Sequence, residues 1–372
     1  MASDPALLFV PVGTNSASPF GIDARERMCR LARNAGLECA DAPEPGRAVL
    51  FGSLRYAWDP AWLKTMCARP GTMLTLDGEP VMAHVEGGSN PAAAAAGLED
   101  HQPVEGYEFL PAETAELSYS ELRKRERPFV MLLDEESIEQ VERAAYDAAY
   151  KGVTDLLTLY LWRKAAFYLT RWAARASIAP NAVTLVGAFL CVLAFFLFWN
   201  GDYWLGVLSG FIFMVLDTVD GKLARVTGAS SNWGEVFDHG IDIMHPPFWY
   251  WAWEHGLTAY NRPLEPVFAT MVLWTIVGGY VAQRIIELIF IRRLGLEIHV
   301  WRPIDSRFRL ITARRNPNMV VLVASLAFSR PDLGLQLVAL WTLSSLIFHA
   351  VRLAQATEAS ARGGKIVSWL DP

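Results

Sequence analysis

Asp217-Thr218-Val219-Asp220-Gly221-Lys222-Leu223-Ala224-Arg225, eight further residues, and then Gly234-Glu235-Val236-Phe237-Asp238-His239-Gly240-Ile241-Asp242 form the stretch on which this sequence turns. Apolar runs flank it on both sides, so it reads as helix, short turn, helix. On a helix Asp217, Asp220 and Ala224 are spaced i, i+3, i+7, and Gly234, Asp238 and Asp242 i, i+4, i+8, which puts each set on one face. Two antiparallel helices then direct four carboxylates at each other, and Gly221, Ala224 and Gly234 are small enough to leave room for a ligand. Ionised carboxylates beside a bilayer repel one another and are costly unless something positive lies among them. An oxygen-only ligand set suits Mg²⁺ or Mn²⁺, and two such ions in one carboxylate cage can polarise a phosphate and help deprotonate an attacking alcohol. The alternative, a buried ion-pair cluster with Lys222 and Arg225, leaves the acids in excess.

Outward from this stretch the sequence becomes membrane-like. A span needs roughly 20 apolar residues, and candidates occur at about 181–199, 203–224, 236–255, 266–290, 317–329 with its flanks, and 333–355. The connections near 200–202, 256–265 and 330–332 hold only Arg262 and Arg330. The alternate connections hold Lys222 and Arg225, then seven arginines of the loop 291–318, then Arg352, Arg362 and Lys365. Because positive loops favour the cytoplasm, both termini and the Arg-rich loop are expected there. Just upstream, Leu157–Ala176 mixes Tyr160, Trp162, Phe167, Tyr168 and Trp172 with Arg163, Lys164, Arg171 and Arg175, a composition that suits a helix lying in the membrane interface.

The 372 residues are 52% hydrophobic with a net charge of −6, which excludes a disordered or simply solvated chain. That charge hides a division: residues 1–150 carry 24 Asp+Glu against 13 Lys+Arg, and the remainder carries 15 against 20. The expected architecture is mainly α, a six-transmembrane-helix domain over 151–372 preceded by a small soluble α/β domain over 1–150, with no nucleic-acid partner. In the head, Leu7–Val12 and Ala48–Phe51 read as buried strands, Asp23–Ala35 closed by Gly36 and Pro60–Ala68 as helices, and 74–83 as a hairpin around Asp77-Gly78. Residues 86–106 read as a loose excursion, and 117–127 and 137–150 as charged helices. Cys29, Cys39 and Cys67 show no CxxC or Cys/His spacing and Cys191 lies in an apolar run, so neither a disulfide framework nor a zinc site is expected, and the head reads as reduced and cytosolic. Residues 1–20 lack the basic start and apolar core of a signal peptide, consistent with a cytoplasmic N-terminus.

Every fixed position of the pattern DxxDGxxAR…GxxxDxxxD is present, and on that basis the sequence resembles the CDP-alcohol phosphotransferases, also called CDP-alcohol phosphatidyltransferases. Eight specified residues at roughly 5–7% usage each make a chance match on the order of 10⁻¹⁰ per position. The resemblance covers about 158–355 and implies a six-helix, usually homodimeric membrane fold that opens to the cytoplasm. It implies cleavage of the pyrophosphate of a CDP-linked alcohol, release of CMP, and transfer of the phospho-alcohol to a second hydroxyl, on a lipid or a polar alcohol. By the same resemblance Asp217, Asp220, Asp238 and Asp242 are metal ligands for two Mg²⁺ or Mn²⁺ ions, Asp242 also serving as general base. Gly221, Ala224 and Gly234 line the cytidine and pyrophosphate pocket, and Arg225 forms an ion pair or reaches a phosphate. Pro180-Asn181-Ala182-Val183-Thr184 resembles the family's PNxxT, which makes Asn181 and Thr184 candidates for donor contact, with helix N-capping as the alternative.

The extended match over Gly234–Gly240 is similar to the choline/ethanolamine phosphotransferase branch, which has GELFDHG there. In that branch a Glu and a His beside the third Asp activate a lipid hydroxyl, here Glu235 and His239. Their spacing of four lets them hydrogen-bond on a helix, and a carboxylate-oriented imidazole is a competent base near neutral pH; a His that only packs is the alternative. The match departs at Ile241, where the branch has Cys, and Pro246-Pro247 beside His245 is expected to kink the third span and reshape the acceptor pocket. In the Arg-rich loop, Arg314 and Arg315 are candidates for gripping an acceptor phosphate, as arginines do in the inositol-phosphate-using branch, while charge beside anionic headgroups is the alternative. The head, with Arg25-Glu26-Arg27 and Asp77-Gly78-Glu79-Pro80, resembles a nucleotidyltransferase weakly, but Val12–Gly21 is no GxGxR phosphate loop, so a degenerate remnant is expected. The whole reads as a transferase of phospholipid synthesis in a bacterial-type inner membrane, its active site facing the cytoplasm. The alternatives are a CDP-diacylglycerol-dependent synthase loading a polar alcohol or inositol phosphate and, from another class, a transporter or non-catalytic scaffold.

Overall fold

The computed structural model describes residues 7–115, 117–119, 124–150, 152–230 and 232–370. It divides into two compact units, one comprising Met1–Tyr150, Phe167–Pro180 and Gly221–Ser231, the other Lys151–Ala166, Asn181–Asp220 and Asn232–Pro372.

In the first unit, strand β1 (Leu8–Val12) lies between β2 (Glu38–Cys39) and β3 (Val49–Ser53), parallel to both. All five residues of β1 are buried, as a parallel strand covered on both faces requires. Helix α1 (Ala24–Asn34) connects β1 to β2, starting on an Asp23 side chain that accepts from the Glu26 amide. Beyond β4 (Tyr56–Trp58) and α2 (Ala61–Cys67), the hairpin β5 (Thr72–Leu76) and β6 (Glu79–Val85) turns at Asp77 and Gly78, both with positive φ, as an Asp-Gly hairpin turn demands. With β7 (Glu108–Pro111) the sheet order is β2-β1-β3-β6-β5-β7. Alternate residues feed two cores: Phe9, Leu50 and Met82 pack with Met28, Trp62 and Met66 of α1 and α2, whereas Val10, Phe51 and Ala83 pack with Ala94 and Leu98.

Those last two residues belong to α3 (Ala92–Asp100), so the expected loose excursion holds a helix. Its alanine run has no amphipathic period to read, yet alanine is the strongest helix former, and Ala94, Gly97 and Leu98 are buried over the sheet. The helix expected over 117–127 is instead an antiparallel pair, β8 (Leu117–Tyr119) and β9 (Lys124–Glu126); residues 120–123 of that expectation lie outside the described residues. Cys29 of α1 and Cys39 of β2 form a disulfide, which corrects the expectation of reduced thiols: a tight α1–β2 connection brings their Cα atoms to 5.5 Å. Cys67 and Cys191 are free.

After β10 (Val130–Leu132), helix α4 (Ile138–Ala148) carries Glu142, fully buried. Its carboxylate accepts from the Phe20 amide at 2.7 Å and pairs with Arg171 at 2.6 Å and Arg175 at 3.2 Å on α5 (Arg163–Arg175). The same unit takes in the last turns of α7 (Tyr203–Thr227). There Lys222 donates to the Ala149 carbonyl at 2.7 Å, 3.4 Å from the centre of the Tyr150 ring, and Arg27 of α1 donates to the Val226 carbonyl. Burial pulls the Arg27 guanidinium down to about 10, with Asp59 and Glu142 opposing that pull.

The second unit is helical. Long helices α6 (Pro180–Trp199), α8 (Asn232–Ala259), α9 (Pro266–Leu294) and α12 (Pro331–Ala361) join the first part of α7 and the shorter α10 (Pro303–Arg309) and α11 (Arg315–Ala327). Among the described residues α6, α7, α9 and α12 are long and apolar enough to cross a membrane. Missing side chains permit close crossings: a Cβ on Gly256 would lie 1.9 Å from the Phe198 carbonyl, and one on Gly279 2.7 Å from Thr342. Tyr203, Trp249 and Trp253 bury their rings and each donates to a backbone carbonyl, of Trp253, Cys191 and Pro331 respectively. Helix α8 runs on through Pro246-Pro247. Pro247 cannot donate to the Ile243 carbonyl, and the Tyr280 hydroxyl of α9 does so instead at 3.1 Å.

Candidate active site

The acids of the opening stretch meet in the second unit. Asp217 and Asp220 stand one turn apart on α7 and Asp238 and Asp242 one turn apart on α8; Asp217, Asp238 and Asp242 lie within electrostatic reach of one another, and Asp220 within reach of Asp238. Thr184, in the first turn of α6, donates its hydroxyl to Oδ2 of Asp220 at 2.6 Å. Asn181, three residues earlier, is exposed.

A cation sits among these acids. Arg315, the first residue of α11, donates from Nη1 to Oδ1 of Asp242 at 2.8 Å and from Nη2 to Oδ2 of Asp217 at 2.9 Å. Its Nε donates to Oδ1 of Asn316 at 3.1 Å, and its guanidinium lies 5.1 Å from the centre of the Phe213 ring. Asn316 donates in turn to the Thr158 hydroxyl, which bonds Asp155 at 2.7 Å. Arg314 goes elsewhere: it pairs with Glu287 of α9 at 2.5 Å, beside Arg284 at 2.6 Å and His299 at 3.2 Å from the same oxygen. The two adjacent arginines therefore serve different groups.

Among the described residues no three His, Cys, Asp or Glu are gathered closely enough to hold a metal ion. The chemistry of the donors nonetheless fits one. Four carboxylates supply hard oxygen ligands, and the Arg315 guanidinium stands between two of them as a positive charge would.

The other expected residues fall as follows. Gly221 faces Arg225 of its own helix; a Cβ there would lie 3.1 Å from Nη2 of that guanidinium. Ala224 and Arg225 on α7 and Gly234 on α8 are half-buried, and His239 is exposed. The side chain of Glu235 lies outside the described residues. His245 is buried, edge-on to Phe213 and Trp249, with Nδ1 2.6 Å from the Ile241 carbonyl. Sequence reasoning missed Asn316, Thr158, Asp155 and Glu287. Their signal was slight: an Asn closing the Arg-Arg pair, and isolated acids beside apolar runs.

Residues 177–351 match the CDP-alcohol phosphatidyltransferase family. Cholinephosphotransferase 1 of Gallus gallus is 35% identical over 124 residues, 30% of this chain and 35% of that protein. Cholinephosphotransferase 1 of Xenopus laevis is 30% identical over 125 residues, 30% of this chain and 29% of that one. The chain thus spans about a third of the length of the curated relatives it matches. Among solved structures, the phosphatidylinositol phosphate synthase of Mycobacterium tuberculosis with CDP-DAG bound is similar at 18% identity and a TM-score of 0.37, covering 50% of this chain and 92% of that one. The match to the CDP-alcohol phosphatidyltransferase family thus takes in the helices that carry Asp217, Asp220, Asp238 and Asp242 together with the Arg314-Arg315 pair.

Proposed function

We propose that the protein is an integral membrane transferase that moves a phospho-alcohol from a CDP-linked donor to an acceptor hydroxyl, with release of CMP. The observation that carries this reading is that Asp217 and Asp242, from two helices of the matched domain, share one guanidinium, with Asp238 in electrostatic reach of both that guanidinium and Asp220. The acceptor oxygen attacks the phosphorus that bears the donor alcohol, the bond from that phosphorus to the CMP oxygen breaks, and the acceptor proton passes to the protein. Asp242 takes that proton: its side chain is 39% exposed against 15% for Asp217, so an incoming hydroxyl reaches it more readily. The four Asp would hold two Mg²⁺ or Mn²⁺ ions, which when bound neutralise phosphate charge in the transition state. Thr184 orients Asp220 through its hydroxyl. Gly221, Ala224, Gly234 and Asn181 border the donor, and Arg225 and Arg315 approach its phosphates.

In this reading α8 and α11 also cross the membrane, giving six spans with the head, the C-terminus and the site on the cytoplasmic side, and the working unit is a homodimer. The head is a non-catalytic relative of nucleotidyltransferases. The named relatives favour a small CDP-linked alcohol such as CDP-choline, with a lipid hydroxyl as acceptor. A second reading, a CDP-diacylglycerol donor with a polar or phosphorylated acceptor, draws support from the Arg284, Glu287, His299 and Arg314 network beside the site.

The test is CMP release by purified protein in nanodiscs with Mg²⁺ or Mn²⁺, over CDP-choline, CDP-ethanolamine, CDP-inositol and CDP-diacylglycerol, each with lipid and polar acceptors. Release with a CDP-alcohol and diacylglycerol supports the first reading, and release only with CDP-diacylglycerol supports the second. No CMP from any pair overturns both. A loss of a hundredfold or more in His239→Ala would move the proton from Asp242 to the Glu235 and His239 pair.

A further inference from the structure

We propose that Arg315 is a resident counter-ion that keeps the cation position between Asp217 and Asp242 closed until a divalent ion displaces it. The inference rests on the proposed reading that these carboxylates load metal.

One guanidinium gives one nitrogen to each of two carboxylates on different helices, at 2.9 and 2.8 Å. The usual fork of an arginine on a single carboxylate uses two nitrogens on one group; here the arginine bridges, as a dication would. The bridge is braced, because Nε is held by Asn316 and the guanidinium carbon lies 5.1 Å from the centre of the Phe213 ring. It is also selective, since neighbouring Arg314 is turned to Glu287. A guanidinium cannot shed its charge at any ordinary pH, so it can vacate the position only by moving. A guanidinium and a dication cannot share the same oxygens without strong like-charge repulsion. Loading is therefore an exchange, metal in and arginine out. The apparent metal affinity is weakened by the ratio of closed to open protein. Once displaced, the guanidinium is free to grip a phosphate with both nitrogens, so metal loading would ready the site for a donor.

The exchange is read without turnover, by titrating Mn²⁺ into full-length protein in nanodiscs free of nucleotide and following free Mn²⁺ by electron paramagnetic resonance. Arg315→Gln should bind Mn²⁺ about tenfold more tightly than wild type. Arg315→Lys, whose single ammonium spans both carboxylates poorly, should bind it about threefold more tightly. Arg314→Gln, which removes a nearby charge without opening the bridge, should stay within about twofold. In EDTA the Arg315→Gln protein should melt below wild type, and Mn²⁺ should raise its melting temperature by more than it raises that of wild type. Unchanged Mn²⁺ affinity in Arg315→Gln and Arg315→Lys, or an equal gain in Arg314→Gln, overturns the exchange. If Arg315→Gln does not fold, the Arg315→Lys comparison decides. Wild-type CMP release reports separately: turnover with unaltered Mn²⁺ affinity in the variants removes the counter-ion and keeps the transferase, and tightened Mn²⁺ without turnover does the reverse.

Discussion

Thr184 on α6 and Asp220 on α7 are joined by a buried hydroxyl-to-carboxylate hydrogen bond of 2.6 Å. A hydrogen bond to a charged group contributes about 1.5–3 kcal/mol. Thr184→Val keeps the shape and removes the donor, so CMP release should fall roughly tenfold to a hundredfold. Thr184→Ser should restore most of it. A Thr184→Val enzyme with wild-type turnover would show that Asp220 needs no such support.

Asp242→Asn preserves the side-chain volume but cannot accept the acceptor proton. Turnover should drop by about 10²–10⁴. Asp217→Ala should be at least as severe, because it removes one of the proposed metal ligands and leaves one side of the Arg315 bridge empty. Stopped-flow or discontinuous CMP assays check both.

Removing divalent ions with EDTA should abolish CMP release, and Mg²⁺ or Mn²⁺ should restore it while Ca²⁺ restores little. The reason is geometric: carboxylate cages of this kind bridge to phosphate best with small octahedral ions. Retained turnover in excess chelator would remove the metal assignment.

Glu142→Gln should destabilise the first unit by about 1–2 kcal/mol, because the buried group loses its charge while Arg171 and the half-exposed Arg175 keep access to solvent. Thermal melting and protease nicking of the head report it. Gly52→Ala should act similarly through packing: the added Cβ would lie 2.8 Å from Cζ of Phe9, an overpacking worth about 1–3 kcal/mol.

Much of this was legible in the sequence where local rules govern. Asp77-Gly78 demanded a hairpin turn and the chain makes one, and the apolar β1 run became a doubly covered parallel strand. The carboxylates could be paired in advance because i, i+3 and i, i+4 spacing sets a helix face irrespective of context. Local rules failed at α3, where five alanines carry propensity but no period, and at 117–127, where charge suggested a solvated helix and the chain pairs as strands. They could not reach contacts made across the fold. Arg315 lies 98 residues from Asp217 and 73 from Asp242 in the chain, so nothing local distinguishes it from Arg314, which faces Glu287. The Cys29 and Cys39 disulfide was hidden for a related reason, since it depends on where α1 delivers the chain.

Lys222 sits inside the DxxDGxxAR stretch, between Gly221 and Leu223, yet its ammonium is capped by the last residues of the head, the Ala149 carbonyl and the Tyr150 ring. A chain cut just after Tyr150 would therefore not be the matched helical region simply freed of an appendage. It would lose both of these contacts at the foot of its own signature helix, and engineering of this protein has to treat the head as part of that helix's fabric.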